Sequence, residues 1–249
     1  VGHIRYVIFY LICGVAAAVA YFIISEPAGS RHESLFGALA QVFRVDRVYG
    51  AEIREFFSAG RLAIFVSFFM LLVGMWSEFI WAMEPLFVSA LSLSPVVGGL
   101  VLSAFVAPFA LSNYAIGQWV DRTQHRFASI LGGLVLGGIG VLLFSMASRP
   151  LLLVVFAALV SLGFALFYVA VNGIFDSLSD HHRRGYMTGV WQSSEDIGFV
   201  LGPVVGGIAA DIFGLRGAFM SFGILFLASI LWVIGERENV QRYEARTTG

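Results

Sequence analysis

Two adjacent carboxylic acids, Glu195 and Asp196, stand about ten residues inside an apolar run at Tyr186–Ala210. At 1.5 Å per residue a helix would carry them roughly 15 Å inward, near the middle of a hydrocarbon layer about 30 Å thick. A charge at that depth costs several kcal/mol unless it faces water or a partner, and taking up a proton is the other escape. Reversible proton binding at mid-depth is the chemistry that proton-coupled carriage requires; the competing reading is a static hydrogen bond to another helix. Neighbouring helical residues point about 100° apart, so one cavity can receive only one of the pair. Glu195 shares a face with Gly198, Phe199 and Gly202 and has the longer reach. It is therefore expected to titrate, with Asp196 as a structural hydrogen-bond partner. Glu78, in "MWSEFIWAME", is a further proton-coupling candidate, while Trp81 reads as an interfacial anchor and Glu84 as a surface acid.

Charge also gathers in "GQWVDRTQHR", between two apolar runs. Gly117 suits the start of a tight turn. Asp121 can face the positive N-terminus of a neighbouring helix, and Arg122 and Arg126 would hold the loop on one side of a membrane. Arg126 is read as topology alone. In "GFVLGPVVGG", Gly198, Gly202 and Gly206 recur every four residues, a stripe along which another helix can approach, and Pro203 permits a bend. Gly133 and Gly137 have the same spacing and the same packing role. His181 and His182 are adjacent on a short loop and do not converge on a metal; the single cysteine, Cys13, excludes a disulfide framework. No phosphate-binding loop, dinucleotide fingerprint or basic-aromatic nucleic-acid surface is present, so neither a cofactor nor a nucleic-acid partner is expected.

The elements that must position these groups follow from composition. The chain is 59% hydrophobic and 12% charged, with a mean hydropathy of +0.87. A soluble domain carries about a quarter charged residues, so an integral membrane protein is implied. Seven apolar runs can cross as helices: Tyr6–Ile24, Leu62–Met83, Pro95–Val120, Phe127–Ala147, Pro150–Phe175, Tyr186–Ala210 and Gly217–Gly235. Runs without alternation exclude a barrel, and the fold class is an all-α polytopic bundle. Most arginines fall on one side: Arg31, Arg44, Arg47, Arg54, Arg61, Arg122, Arg126, Arg183, Arg184, Arg237, Arg242 and Arg246, against Arg5, Arg149 and Arg216. The first side is expected to be cytoplasmic, with the C-terminus inside. The chain then divides into a first helix (1–25), a cytoplasmic loop with amphipathic helices (26–60), a six-helix bundle (61–236) and a cytoplasmic tail (237–249).

Six helices after a long cytoplasmic loop, with Gly117, Asp121, Arg122 and Arg126 between the second and third, resemble the C-terminal half of a major facilitator superfamily transporter. The helix before the loop would be the sixth of twelve, and the missing N-terminal helices would complete the protein. Trp119, Gln124 and His125 depart from the family's fuller pattern. The resemblance implies that Asp121 meets Arg183 or Arg184 in a conformational gate. It implies that Trp76, Glu78, Tyr168 and Asn172, on the seventh and tenth helices, are substrate-cavity candidates. Gly198–Gly206 with Pro203 is similar to a glycine-proline motif of the family's antiporters. The resulting expectation is a secondary transporter of small organic solutes in the inner membrane of a prokaryote, by proton-coupled efflux and alternating access. The alternative is an uptake symporter for sugar or another nutrient. A membrane-embedded enzyme or a receptor fits less well, because no nucleophile–base pair, metal cluster or signalling module is present.

Overall fold

The computed structural model describes residues 60–178 and 184–240, with side chains for 60–176 and 188–240. The expected first span at Tyr6–Ile24, the amphipathic loop, His181, His182, Arg183, the side chain of Arg184 and the tail beyond 240 lie outside the described residues. Five helices follow one another: α1 (Arg61–Ala90), α2 (Pro95–Thr123), α3 (Arg126–Met146), α4 (Pro150–Leu178) and α5 (Arg184–Gly235). Each is long and apolar enough to cross a membrane. Among the described residues there is no strand.

Proline marks two of the starts. Pro95 opens α2 behind an extended Ser94, and Pro150 opens α4, positions where the missing N–H would have no intrahelical partner anyway. The helix α5 has 52 residues, which would be about 78 Å if straight, more than two bilayer cores. Gly214 breaks it, with φ 73° and ψ 169°, a conformation that a residue with a Cβ rarely adopts. Residues 184–213 and 215–235 are therefore two arms, and six spans follow residue 60. The backbone stays helical through Pro203.

The turn between α2 and α3 differs from the sequence expectation. Gly117 lies well inside α2, and the reversal is made by Gln124, whose φ of 55° is left-handed and whose N–H donates to the Val120 carbonyl. Residues 118–123 contain no helix breaker, so the helix runs on until a side chain tolerates that conformation. Gly117 instead faces Val169 of α4, with room for a methyl group, since a Cβ there would sit 3.8 Å from Cγ1.

Small residues set the helix order. Gly198 abuts Leu71 and Gly74, Gly202 abuts Met75, and Gly206 abuts Phe79 and Met83, so the first arm of α5 runs parallel to α1. The second arm returns antiparallel: Phe219 meets Phe79 and Phe87, Phe226 meets Trp76, and Trp232 meets Phe65 and Phe68. In the other half α4 runs parallel to α2, through Phe109–Phe164 and Gly117–Val169. It runs antiparallel to α3, where Gly163 fits between Gly133 and Gly137. Gly138 of α3 packs on Gly223 and Leu227 of the second arm. Exchanging α1 with α4, α2 with the first arm and α3 with the second arm maps neighbours onto neighbours.

Between α1, α2, α3 and the second arm lies an aromatic column. Phe79 stacks on Phe222 at 4.1 Å, and Phe144 meets Phe87, Phe105 and Phe219 at 5.0–5.3 Å. Lipid is as apolar as these rings, so close packing and ring geometry, more than water exclusion, hold the helices together. One end of the bundle is clasped by Arg61 and Glu236, 2.9 Å apart, with Asn239 donating to the second carboxylate oxygen. Arg237 lies over the Phe127 ring at that end. At the opposite end Arg216 donates to the Met146 carbonyl and to Ser148 Oγ.

Candidate functional site

Halfway along the helices, α1, α2, α4 and the first arm of α5 line a half-open cavity of about 210 Å³. Its α1 wall is Val73, Trp76, Ser77, Ile80 and Trp81, positions that recur at i, i+3, i+4, i+7 and i+8 and so form one helix face. Phe105, Val106 and Phe109 come from α2, and Ser161, Phe164 and Tyr168 from α4. The first arm of α5 contributes Glu195. The wall is thus mostly aromatic and aliphatic, with two hydroxyls, one phenol and one carboxyl group.

Backbone chemistry holds the α2–α4 corner. Pro108 lacks an N–H and its ring disturbs the turn before it, leaving the local hydrogen-bond ladder incomplete. The Phe109 N–H donates to Ser161 Oγ at 2.8 Å, so a side chain of α4 satisfies a group that lipid could not. Phe109 also meets Tyr168 edge-on at 5.4 Å.

Glu195 is held from behind by backbone. A Cβ at Gly74 would lie 2.0 Å from the Glu195 carbonyl oxygen, and one at Gly198 would lie 2.2 Å from the Leu71 carbonyl oxygen. Only hydrogen fits at both positions, which is the physical content of the glycine stripe here. Its carboxylate accepts from Gln192 Nε2 at 3.1 Å, and that amide also reaches Asp196 Oδ1 at 3.3 Å. Among the described residues, Glu195 has no basic partner.

The other sequence candidates are distributed as follows. Trp76 lies on the wall, 3% exposed, in ring contact with Phe79, Phe105, Phe222 and Phe226. Tyr168 is also on the wall, but Asn172 is not: its Nδ2 donates to the Tyr168 carbonyl one turn back. Glu78 is half-buried and absent from the wall, on the α1 face four residues after Gly74. Asp196 is exposed, and its bonding partner is Gln192 of its own helix and not another helix. Trp81, read as an interfacial anchor, lines the cavity because α1 extends to Ala90 and leaves position 81 far from its end.

Glu84 and Arg126 also differ from expectation. Glu84 is 1% exposed, with an Oε1 atom that has no hydrogen-bond partner among the described residues, opposite Gly98 of α2. The same extension of α1 past residue 83 places it inside the bundle. Arg126 is 7% exposed and presses on α4 at Gly173, where a Cβ would come 3.1 Å from its Nε. As the first residue of α3 it sits where α3 and α4 meet, so it fills an interhelical slot as well as marking a side. Asp121 and Arg122 are exposed at the same end, and the Asp121 carbonyl accepts from the Gln124 amide.

Ser77, Phe105, Phe109, Ser161 and Phe164 were not singled out from sequence. A signal existed in α4, where stepping back four and seven residues from Tyr168 reaches Phe164 and Ser161. Nothing comparable marked α2, because its lining face depends on which helices neighbour it.

The sequence profile of the Major Facilitator Superfamily matches residues 64–248. The chain is 28% identical over 163 residues to the multidrug resistance protein MdtG of Enterobacter lignolyticus, covering 63% of this chain and 38% of that protein. It is 28% identical over 189 residues to a probable hexose phosphate transport protein of Chlamydia trachomatis, covering 70% and 38%. It is 23% identical over 154 residues to multidrug resistance protein 1 of Bacillus subtilis, covering 62% and 39%. The matched stretch spans about two fifths of each relative's length. A profile match over most of the chain, on a bundle of apolar membrane-length helices, places this multi-pass membrane protein: the chain belongs to the Major Facilitator Superfamily.

Proposed function

We propose that the chain forms the C-terminal half, with one preceding helix, of a secondary transporter that exports small organic solutes in exchange for protons. The single observation that carries this reading is Glu195: a half-buried carboxyl group, without a basic partner among the described residues, on the wall of a mid-bundle cavity. Such a group can bind a proton from one side and release it to the other when two bundles rock about the site. The N-terminal helices of the full-length protein supply the facing wall. Asp121, exposed at the end that carries Arg61, Arg122 and Arg237, approaches Arg183 or Arg184 and biases one conformation. The arginine asymmetry supports a cytoplasmic position for that end, in the inner membrane of a prokaryote.

Relatives named for multidrug resistance and for hexose phosphate transport point to two substrate chemistries. A sugar phosphate calls for cationic side chains, and among the described residues no Arg or His lines the cavity. Efflux of apolar organic solutes therefore fits the wall better than uptake of a sugar phosphate.

The test is solute-driven proton movement by the full-length protein in proteoliposomes, across a panel of cationic, neutral and anionic solutes. Wild type is expected to move protons with at least one solute. Glu195→Gln should lower that flux by about a hundredfold or more, within the range of losses for a removed acid–base group, while solute binding survives. Asp196→Asn should retain coupling. Undiminished coupling in Glu195→Gln would remove the assignment and shift it to Glu78.

A further inference from the structure

The two halves of α2 pack against different helices, and the change falls at Pro108. Before it, Gly98 lies against Val88 of α1, and Phe105 meets Trp76 of α1 and Phe144 of α3 at 6.1 and 5.0 Å. Beyond it, Phe109 meets Phe164 and Tyr168 of α4 at 5.7 and 5.4 Å, and Gly117 faces Val169. Proline weakens a helix where it stands: residue 108 cannot donate to the Ala104 carbonyl, and its ring pushes that turn apart. The next donor along, the Phe109 N–H, goes to Ser161 Oγ at 2.8 Å. Among the described residues this is the one hydrogen bond that joins α2 to another helix. Resting on the transporter reading above, we infer that Ser161 is a positioning residue: its hydroxyl pins the Phe109 N–H, sets the bend of α2 at Pro108, and lets go each time the bundle exchanges conformations.

The pin has a fixed side and a movable side. Ser161 is 2% exposed, and two positions further along α4 Gly163 is wedged into α3. A Cβ at Gly163 would come 2.5 Å from the Gly137 nitrogen and 2.9 Å from the Gly133 carbonyl oxygen, so α4 has no room to follow a moving donor. The helix α2 is held far less. Its buried residues are Val101, Phe105 and Val120, and no position from 106 to 119 is fully enclosed. A methyl group would fit at Gly117, so the contact with α4 beyond the proline is loose.

The bonding of the same stretch is incomplete. Ser112 Oγ and Asn113 Oδ1, four residues after Pro108 and Phe109, are buried with no hydrogen-bond partner among the described residues. Orphaned polar atoms in an apolar surrounding cost free energy, and here they gather in the segment that proline has already weakened. The Phe109 N–H has a second acceptor within reach of a straighter helix, the Phe105 carbonyl four residues back. It can therefore change partner without being left bare in a membrane, which is what a two-position hinge requires.

The experiment uses the full-length protein with its native cysteines replaced, in proteoliposomes, and measures distances between spin labels by double electron–electron resonance. One pair, Trp119→Cys and Leu231→Cys, is exposed on α2 beyond the proline and on the second arm of α5 at the same end. A control pair, Val96→Cys and Met220→Cys, lies at the opposite end. Distances are read at low and at high pH, with and without each solute of the transport panel. A bend of about 20° at Pro108 swings residue 119, eleven positions further on, by about 6 Å. Wild type is expected to show a shift of that order in the first pair and none in the control pair, whose half of α2 is held through Phe105. Ser161→Ala should widen the first distribution and change solute-driven proton flux several-fold, and Ser161→Thr, which keeps a hydroxyl, should restore both. In a Pro108→Ala background the ladder is whole again, so Ser161→Ala should change neither, a non-additivity that a merely structural contact would not show.

Equal shifts in the two pairs, or the same effect of Ser161→Ala with and without Pro108, would overturn the inference. The wild-type distances decide the matter even where a variant fails to fold. Proton-coupled solute movement with the first pair fixed under every condition would leave the transporter reading standing while this one fell; absence of coupled movement with any solute would remove both.

Discussion

At Gly198 and Gly117 the same residue type serves two different ends, and the space around each decides what a methyl group would do. A Cβ at Gly198 would meet the Leu71 carbonyl oxygen at 2.2 Å and the Met75 nitrogen at 2.8 Å, both backbone atoms that cannot rotate away. Gly198→Ala is expected to destabilise the full-length protein by about 1–3 kcal/mol, the usual cost of overpacking, and to displace Glu195 with it. Gly117→Ala meets only the end of Val169 at 3.8 Å and gains helix propensity, so its effect on stability should stay within about 1 kcal/mol. Thermal unfolding of the two variants in detergent checks the contrast; similar losses for both would contradict the seam geometry. The glycine periodicity at 198, 202 and 206 was legible in the sequence, as was the pairing of Glu195 with that stripe. The identity of its partner, Gly74 with Leu71 and Met75, was not, because a stripe of small residues announces a close approach without naming the helix that makes it.

At the level of elements, the α2–α3 turn and the arms of α5 carry separate expectations. Asp121 is exposed beside a left-handed Gln124, so it is free to engage the loop before α5. Asp121→Asn in the full-length protein should reduce transport several-fold while leaving insertion intact, because a surface ion pair contributes only about 0–1 kcal/mol to stability. Unchanged transport rates in vesicles would remove the gate. The neighbour-preserving exchange of α1 with α4, α2 with the first arm and α3 with the second arm leads to a geometric expectation. Residues 62–147 and 150–235 should superpose as inverted three-helix repeats, with opposite orientation relative to the membrane. An experimental structure in which the triplets fail to overlay would exclude it. Helix starts at Pro95 and Pro150 were readable because proline acts locally. The end of α1 and the place of the α2–α3 turn were misjudged, since hydropathy falls before a helix stops.

For the whole molecule, the charged side chains separate by end. Arg61, Arg122, Arg126 and Arg237 gather where α1 and α3 begin, and Arg149 and Arg216 where they finish. By the positive-inside rule we propose that this end, with the C-terminus, is cytoplasmic. A reporter that is active only in the cytoplasm, fused after Gly249, should be active, and one inserted at Arg149 should not. The reverse pattern would invert the whole assignment and exchange the two mouths of the transport pathway.

By itself the sequence determined that this chain is a bundle of membrane-spanning helices, where most of them start and which end carries the arginines. Each of these depends on composition, on local backbone chemistry or on distance along a single helix, all of which are written in consecutive residues. Tertiary structure alone decided that Ser161 completes the ladder at Phe109, that Trp81 faces the cavity, that Glu84 is buried and that Asn172 turns back on its own helix. Those outcomes depend on helix rotation and on which neighbour fills each face. In a membrane a helix is apolar all round, so the amphipathic stripe that reveals rotation in a soluble protein is absent, and only the packing of rings and glycines sets it.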